Sequence, residues 1–210
     1  CDVVLGPGMN LLRNPLCGRN FEYYSEDTLI SGRIAAAMVK GVKLHKGRTA
    51  TIKHYAANNQ ETNRYTYNSI VSQRALSEIY LKGFEICVKE SKPKVFMSSY
   101  NLINGEHSSQ TKDIQTYILR DEWGFDGFVM TDWYATGGME SGKEKYSVAY
   151  ASGNIKARND MTMPGSKSDI EDILSALSNL DHPYHITRAT LQLSAKNILN
   201  TILELTKFKQ

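Results

Sequence analysis

The stretch Gly127-Phe128-Val129-Met130-Thr131-Asp132-Trp133 holds three apolar residues behind a glycine and closes on a carboxylate and an indole. A short unbroken apolar run of this kind reads as a strand buried on both faces, as in parallel sheets. Asp132 then falls at the strand's C-terminal rim. The same form recurs on either side. Apolar runs at Val3 to Leu5 (continuing toward Leu12), Ala50 to Tyr55 and Val95 to Tyr100 predict three earlier strands, and Met161 to Met163 a weaker later one.

Between the runs the apolar spacing is helical. Ile30, Ile34, Ala37, Met38 and Gly41 fall on one face, and Leu76, Ile79, Tyr80, Gly83, Phe84 and Cys87 on another, with Pro93 soon after. Ile114, Ile118 and Leu119 mark a shorter helix ending by Gly124, and Ile170, Ile173, Leu174 and Leu177 a further one. Leu191, Ala195, Ile198, Ile202 and Leu205 form the last and clearest stripe. Strand alternating with helix argues an α/β protein with a parallel sheet. A closed (β/α)8 barrel takes about 250 residues and eight strands. This chain has 210 residues and five candidate strands. Two readings follow: an open sheet, or the later part of a TIM-type barrel, incomplete here because its first strands precede Cys1.

Bulk properties narrow the function. With 41% hydrophobic residues a sizeable core can form, and a net charge of +3 with scattered lysines gives no basic face for nucleic acid. No apolar stretch approaches membrane-span length. Cys1, Cys17 and Cys87 fit neither a disulfide framework nor a metal-binding pattern and read as reduced thiols. His45, His107, His182 and His185 show no metal-ligand spacing. Gly6-Pro7-Gly8 and Gly137-Gly138 lack phosphate-loop spacing, so neither a metal nor another cofactor is expected.

Chemistry gathers at the strand ends. The second strand ends in Lys53-His54, the third in Ser98-Ser99-Tyr100-Asn101 and the fourth in Thr131-Asp132-Trp133, while the loop after the first carries Arg13, Arg19, Glu22, Glu26 and Asp27. The C-terminal strand ends are the active-site face of parallel α/β proteins, and polar groups there cost free energy unless paired or used. On placement alone Asp132 suits a nucleophile, a metal ligand or a helix cap. Lys53 suits hydrogen bonding, an ion pair or a Schiff base, the last defining a lyase alternative. Arg19 offers a planar donor fork whose bland reading is an ion pair with Glu22 or Asp27. Tyr100 is either a satisfied buried phenol or a neighbour of the reacting centre. Trp133 reads as core or as a face for stacking on sugar. Asn58, Asn59, Gln60 and Glu61 read as a solvated polar loop.

Taken in order, these segments resemble the glycoside hydrolase family 3 barrel. Gly6-Pro7-Gly8-Met9-Asn10, Arg13-Asn14-Pro15-Leu16-Cys17-Gly18-Arg19-Asn20-Phe21-Glu22 and Ser25-Glu26-Asp27 resemble its opening signature. The run Lys53 to Glu61 with Arg64, then Ser99-Tyr100-Asn101 with Asn104-Gly105, resemble the next two. Trp123-Gly124-Phe125 through Trp133 resembles the nucleophile strand, and Asn159 to Gly165 the strand after it. The resemblance covers almost the whole chain. It implies residues 1–210 as one unit, the C-terminal portion of such a barrel, acting on terminal β-glucosyl or related residues with retention of configuration.

The resemblance further implies Asp132 as the nucleophile, with Arg19, Lys53 and His54 binding sugar hydroxyls. Tyr100 would stand beside the reacting centre, Met97 would line the pocket and Trp133 would form its wall. A β-glucoside or oligosaccharide is the expected partner, with no nucleic acid and no membrane. The attacking carboxylate must be ionised, so the donors and cations around it are expected to hold its pKa low. Nothing here matches the family's earlier sugar-binding aspartate strand or the α/β sandwich domain that supplies an acid/base glutamate. The loop Ala56 to Asn68 also lacks the histidine of the N-acetylglucosaminidase branch. The sequence thus predicts a chain that turns over poorly without its sandwich domain. A non-catalytic glycan-binding remnant, or β-xylosidase or other exo-glycosidase specificity, are the alternatives.

Overall fold

The computed structural model describes residues 1–136 and 148–205; the Gly137-Gly138 pair lies outside them. Strands β1 (Val3–Val4) and β2 (Thr49–Tyr55) are joined through helix α1 (Thr28–Lys43). A short strand β3 (Asn68–Ser69) precedes a long helical segment: α2 (Gln73–Ala75), a π-helical stretch Leu76–Tyr80 and α3 (Lys82–Ser91). Then come β4 (Val95–Ser98), β5 (Leu102–Ile103), β6 (Glu106–His107), the π-helix Asp113–Glu122 and β7 (Phe128–Met130). Helices α4 (Ala151–Ala157), α5 (Lys167–Ser178) and α6 (Arg188–Glu204) follow.

The main sheet runs β1-β2-β4-β7, parallel throughout and in chain order, and an isolated parallel bridge from Met130 to Met161 extends it. The expected five parallel positions are therefore present, though the last is a single bridge. Sequential order without a reversal is the progression of a barrel wall; a doubly wound sheet reverses at a switch point. Side chains alternate as parallel strands require. Ile52, Phe96 and Val129 face Ala35, Ala36 and Val39 of α1, Phe84 and Cys87 of α3, and Leu119 of the second π-helix. Val95, Met97, Phe128 and Met130 form a separate cluster with Val3, Met161 and Met163.

Two expectations change. The strands are shorter than their apolar runs: β1 stops at Val4, β4 at Ser98 and β7 at Met130. Just past β4 and β7 a single ladder bond continues the same parallel pairing, Ser99 N–H to Tyr55 O at 2.9 Å and Thr131 N–H to Met161 O at 2.9 Å. The α1 face is also rotated. Ile30, Ile34 and Met38 are exposed, and Ser31, Gly32, Ala35, Ala36 and Val39 are buried. The cause is the close crossing with α3: a Cβ at Gly32 would stand 2.8 Å from Gly83 O and 2.9 Å from Ile86 Cβ. Small residues allow that approach and larger ones forbid it. In α6, likewise, Ser194, Asn197 and Thr201 are buried while Ile202 is exposed.

Cys17 and Cys87 are buried free thiols and Cys1 is an exposed one. His107, His182 and His185 make packing contacts: ring nitrogens of His107 and His185 lie 3.0 and 2.9 Å from backbone carbonyls, and His182 lies 3.4 Å from Asp172.

Candidate active site

Three elements bring the cluster together. After β1 the chain turns through Asn14 to Cys17 into a 3₁₀ turn at Asn20–Glu22, with Arg19 at its start. The turn presents Arg19 and Glu22 side by side, joined Nε to Oε1 at 2.5 Å. Lys53 at the end of β2 reaches the other oxygen of Glu22, Nζ to Oε2 at 3.5 Å. The end of β7 supplies Asp132, which is 5% exposed. Arg19 Nη1 stands 3.7 Å and His54 Nε2 3.4 Å from Asp132 Oδ2. Arg19 thus spans two carboxylates, and Glu22 is held between two cations.

Asp132 uses its two oxygens differently. Oδ1 accepts the Trp133 N–H at 2.8 Å. Oδ2 is buried and has no hydrogen-bond partner. At 3.4 and 3.7 Å its nearest cationic and imidazole neighbours lie at or beyond hydrogen-bond reach. This oxygen keeps its lone pairs uncommitted while one face of the carboxylate is fixed. A carboxylate oxygen so placed is able to accept a donor or to attack an electrophile.

The electrostatics differ from the expectation. Burial raises the Asp132 pKa above the ordinary carboxylate value, and the Trp133 N–H and the Arg19 charge only partly offset it. His54 moves the other way: burial first, then the Arg19, Lys53 and Arg64 charges, pushes its imidazole well below the usual histidine range. It is a neutral ring at neutral pH. Its backbone is held by Asn10, whose carboxamide accepts the His54 N–H at 2.8 Å and donates to the His54 carbonyl at 2.9 Å.

The remaining residues singled out from sequence arrive by indirect routes. Tyr100 donates to the Trp133 carbonyl at 2.7 Å, bracing the residue that follows the carboxylate. Trp133 is 45% exposed, so its indole is available as a stacking face and is not core. Met97 is 2% exposed and pairs in register with Met130, two positions before Asp132. It forms part of the packing beneath the polar cluster. Lys53 is ion-paired with Glu22, not set in the apolar pocket that activates a Schiff-base lysine.

A second ring of residues escaped the sequence reading. Asn58 and Asn59 are buried, not solvated. Asn58 donates to Tyr23 Oη at 3.2 Å and to Glu61 Oε1 at 3.1 Å. Arg64 donates to Glu61 Oε2 at 3.2 Å, and its guanidinium lies 4.7 Å from the Tyr100 ring centroid. Tyr23 Oη stands 3.3 Å from His54 Nδ1. Glu22, Glu61 and Arg64 stood in the motifs and Tyr23 did not; the Glu61–Arg64 pair is a local i,i+3 contact, while the Tyr23 contacts to Asn58 and His54 cross 35 and 31 positions and carry no local signal.

Comparison with known proteins agrees with this architecture. The description "Glycosyl hydrolase family 3 N terminal domain" matches residues 1–201. A beta-glucosidase of Ruminococcus albus is 46% identical over 208 residues, which is 96% of this chain and 21% of that protein. An exo-alpha-(1->6)-L-arabinopyranosidase of Bifidobacterium longum is 54% identical over 133 residues, 63% of this chain and 17% of its own length. Among solved structures, beta-glucosidase 3B from Thermotoga neapolitana in complex with glucose superposes with a TM-score of 0.85 at 46% identity, covering 97% of this chain and 27% of that one. The chain spans about a fifth of the length of the curated relatives it matches.

Proposed function

Because the chain belongs to glycosyl hydrolase family 3, we propose that it forms the nucleophile-bearing wall of an exo-acting β-glycosidase barrel, cleaving terminal non-reducing β-D-glucosyl or related residues with retention of configuration. Asp132 is the nucleophile in this reading. The observation that carries it is the split environment of its carboxylate, with Oδ1 fixed by the Trp133 amide and Oδ2 buried and uncommitted. Oδ2 attacks the anomeric carbon, the glycosidic bond breaks, and a glycosyl ester forms that water then hydrolyses. Arg19, Lys53 and His54 present donors to the sugar hydroxyls, Trp133 offers its indole to the C–H face of the ring, Tyr100 braces the nucleophile loop and Met97 closes the floor.

A retaining enzyme needs a second carboxyl group about 5–5.5 Å from the first. Among the described residues Glu22 is the carboxylate ion-paired to the same Arg19, and both its oxygens face cations. It serves as a scaffold for Arg19 and Lys53. The family resemblance implies an acid/base on a sandwich domain outside this chain, and in this reading the chain alone turns over poorly. A raised nucleophile pKa fits this division, since a sugar ring and additional donors lower it when the site is complete. The choice of sugar rests on surrounding loops: the arabinopyranosidase and the beta-glucosidases are comparably similar to this chain.

The test is to incubate the full-length protein carrying this chain with a 2-deoxy-2-fluoro-β-glucoside bearing a good leaving group, and to map the mass shift. Label on the peptide containing Asp132, lost in Asp132→Ala, is the expected result. Label on another carboxylate keeps the reaction class and overturns the assignment. No label from a panel of fluoro-sugars favours a glycan-binding protein.

A further inference from the structure

His54 faces Asp132 through Nε2, and its other ring nitrogen meets a single side chain, Tyr23. The phenol oxygen of Tyr23 has two polar neighbours. One is the Asn58 side-chain amide, which donates to it at 3.2 Å. The other is His54 Nδ1 at 3.3 Å. An amide N–H can only donate, so the Asn58 contact uses a lone pair on the phenol and leaves its single proton to be placed. Among the described residues, the acceptor it meets is Nδ1. Burial of Tyr23 pushes its phenol pKa far up, so the proton stays on oxygen as the donor.

We propose that Tyr23 is a positioning residue that donates to His54 Nδ1 and so keeps the imidazole proton on Nε2, the ring nitrogen that stands 3.4 Å from Oδ2 of Asp132. The orientation of Asn58 fixes the direction of this relay. Its Nδ2 also donates to Glu61 Oε1, and its Oδ1 accepts from Tyr67 Oη at 3.1 Å. Glu61 is in turn held by Arg64. A flipped Asn58 would set its carbonyl oxygen against the Glu61 carboxylate, so Asn58 donates both to Glu61 and to Tyr23, and the one-way run of donors goes from Asn58 through Tyr23 to His54. A histidine held by a partner on one nitrogen presents a defined tautomer on the other.

The consequence for the reaction rests on Asp132 being the nucleophile. The Nε2–H then offers a neutral donor beside the carboxylate, or to a sugar hydroxyl bound there. The opposite tautomer would set a lone pair against Oδ2 and repel it. The backbone clamp from Asn10 holds the ring's base in place whichever nitrogen carries the proton.

The tautomer is read directly by long-range ¹⁵N–¹H correlation on the full-length protein labelled with ¹⁵N-histidine, independently of any turnover. In the unsubstituted chain we expect a pyridine-type shift at His54 Nδ1 and a pyrrole-type shift at Nε2. In Tyr23→Phe the Nδ1 resonance moves further downfield, as a bare nitrogen does on losing a donor. A pyrrole-type Nδ1, an imidazolium, or an Nδ1 shift unaffected by Tyr23→Phe overturns the proposal. The first two are decided by the unsubstituted chain, so a poorly folded variant does not leave the question open. In the full-length protein Tyr23→Phe should lower kcat/KM by roughly two- to tenfold, the effect of one lost hydrogen bond. If Asp132 fails the labelling test while the shifts hold, the tautomer assignment stands and only its catalytic meaning falls.

Discussion

Asp160→Ala breaks the ion pair that ties β7 to its neighbours. The Asp160 carboxylate accepts from Arg120 Nη2 at 2.5 Å, from Val129 N–H at 2.9 Å and from Asn197 Nδ2 at 3.0 Å. Both partners of the pair are almost fully buried. Burial acts against each charge, pushing Asp160 up and Arg120 down. The pair therefore adds little over a well-packed apolar substitute, but breaking it is costly. Removing the carboxylate leaves a buried guanidinium with the Gly127 and Arg158 carbonyls and the Phe125 ring face but no counter-charge bonded to it, and strips acceptors from the Val129 amide and Asn197. An uncompensated buried charge costs about 3–5 kcal/mol. At about 2–4 °C per kcal/mol for a chain of this size, the melting temperature should fall by roughly 6–20 °C. The assay is urea and thermal unfolding followed by circular dichroism, on Asp160→Ala, Arg120→Met and the double variant. The double variant should lose less than the sum of the singles, because no unpaired charge remains. An Asp160→Ala chain within about 1 kcal/mol of the parent, or additive singles, would refute the reasoning.

Two further outcomes follow from the same geometry. Asp132→Asn should raise the urea midpoint at pH 7. The folded-state pKa of Asp132 lies above its ordinary value, so the ionised form is penalised in the folded chain; that penalty is complete above the folded pKa and disappears as pH falls below the unfolded value near 3.9. The stabilisation by Asn should therefore shrink on acidification, and a gap that widens at low pH would contradict the burial argument. Gly127→Ala should cost about 3 kcal/mol, because a Cβ there would lie 2.0 Å from the Lys94 carbonyl oxygen, a backbone atom that cannot swing aside; an unchanged urea midpoint would show that β7 does not need this approach to β4.

Most of the main sheet was legible because parallel strands buried on both faces are continuous apolar runs, and composition alone reveals them. The polar residues at their ends were legible for the complementary reason: a charge at the end of a buried strand is conspicuous. Helix faces were less so. Ile30, Ile34 and Met38 have the spacing of a core stripe, yet α1 packs through Gly32 and its small neighbours because α3 approaches too closely for isoleucine. The π-helical stretches at Leu76–Tyr80 and Asp113–Glu122 keep most of the face read from sequence, with Phe84, Cys87, Ile114 and Leu119 in the core and, of the residues read onto those faces, only Ile79 exposed.

The sequence by itself determined the alternation of strand and helix, the family, and the set of side chains at the strand ends, since these depend on local composition and order. Only the tertiary structure decided how those side chains divide their work. Lys53 serves Glu22 and not Asp132, and Arg19 spans both carboxylates. Tyr23, 31 positions away in sequence, is the group that meets His54. Burial outweighs the cationic field at Asp132. Each outcome depends on distances between segments remote in the chain and on how much water the packed protein excludes, and neither quantity is written in the order of the residues.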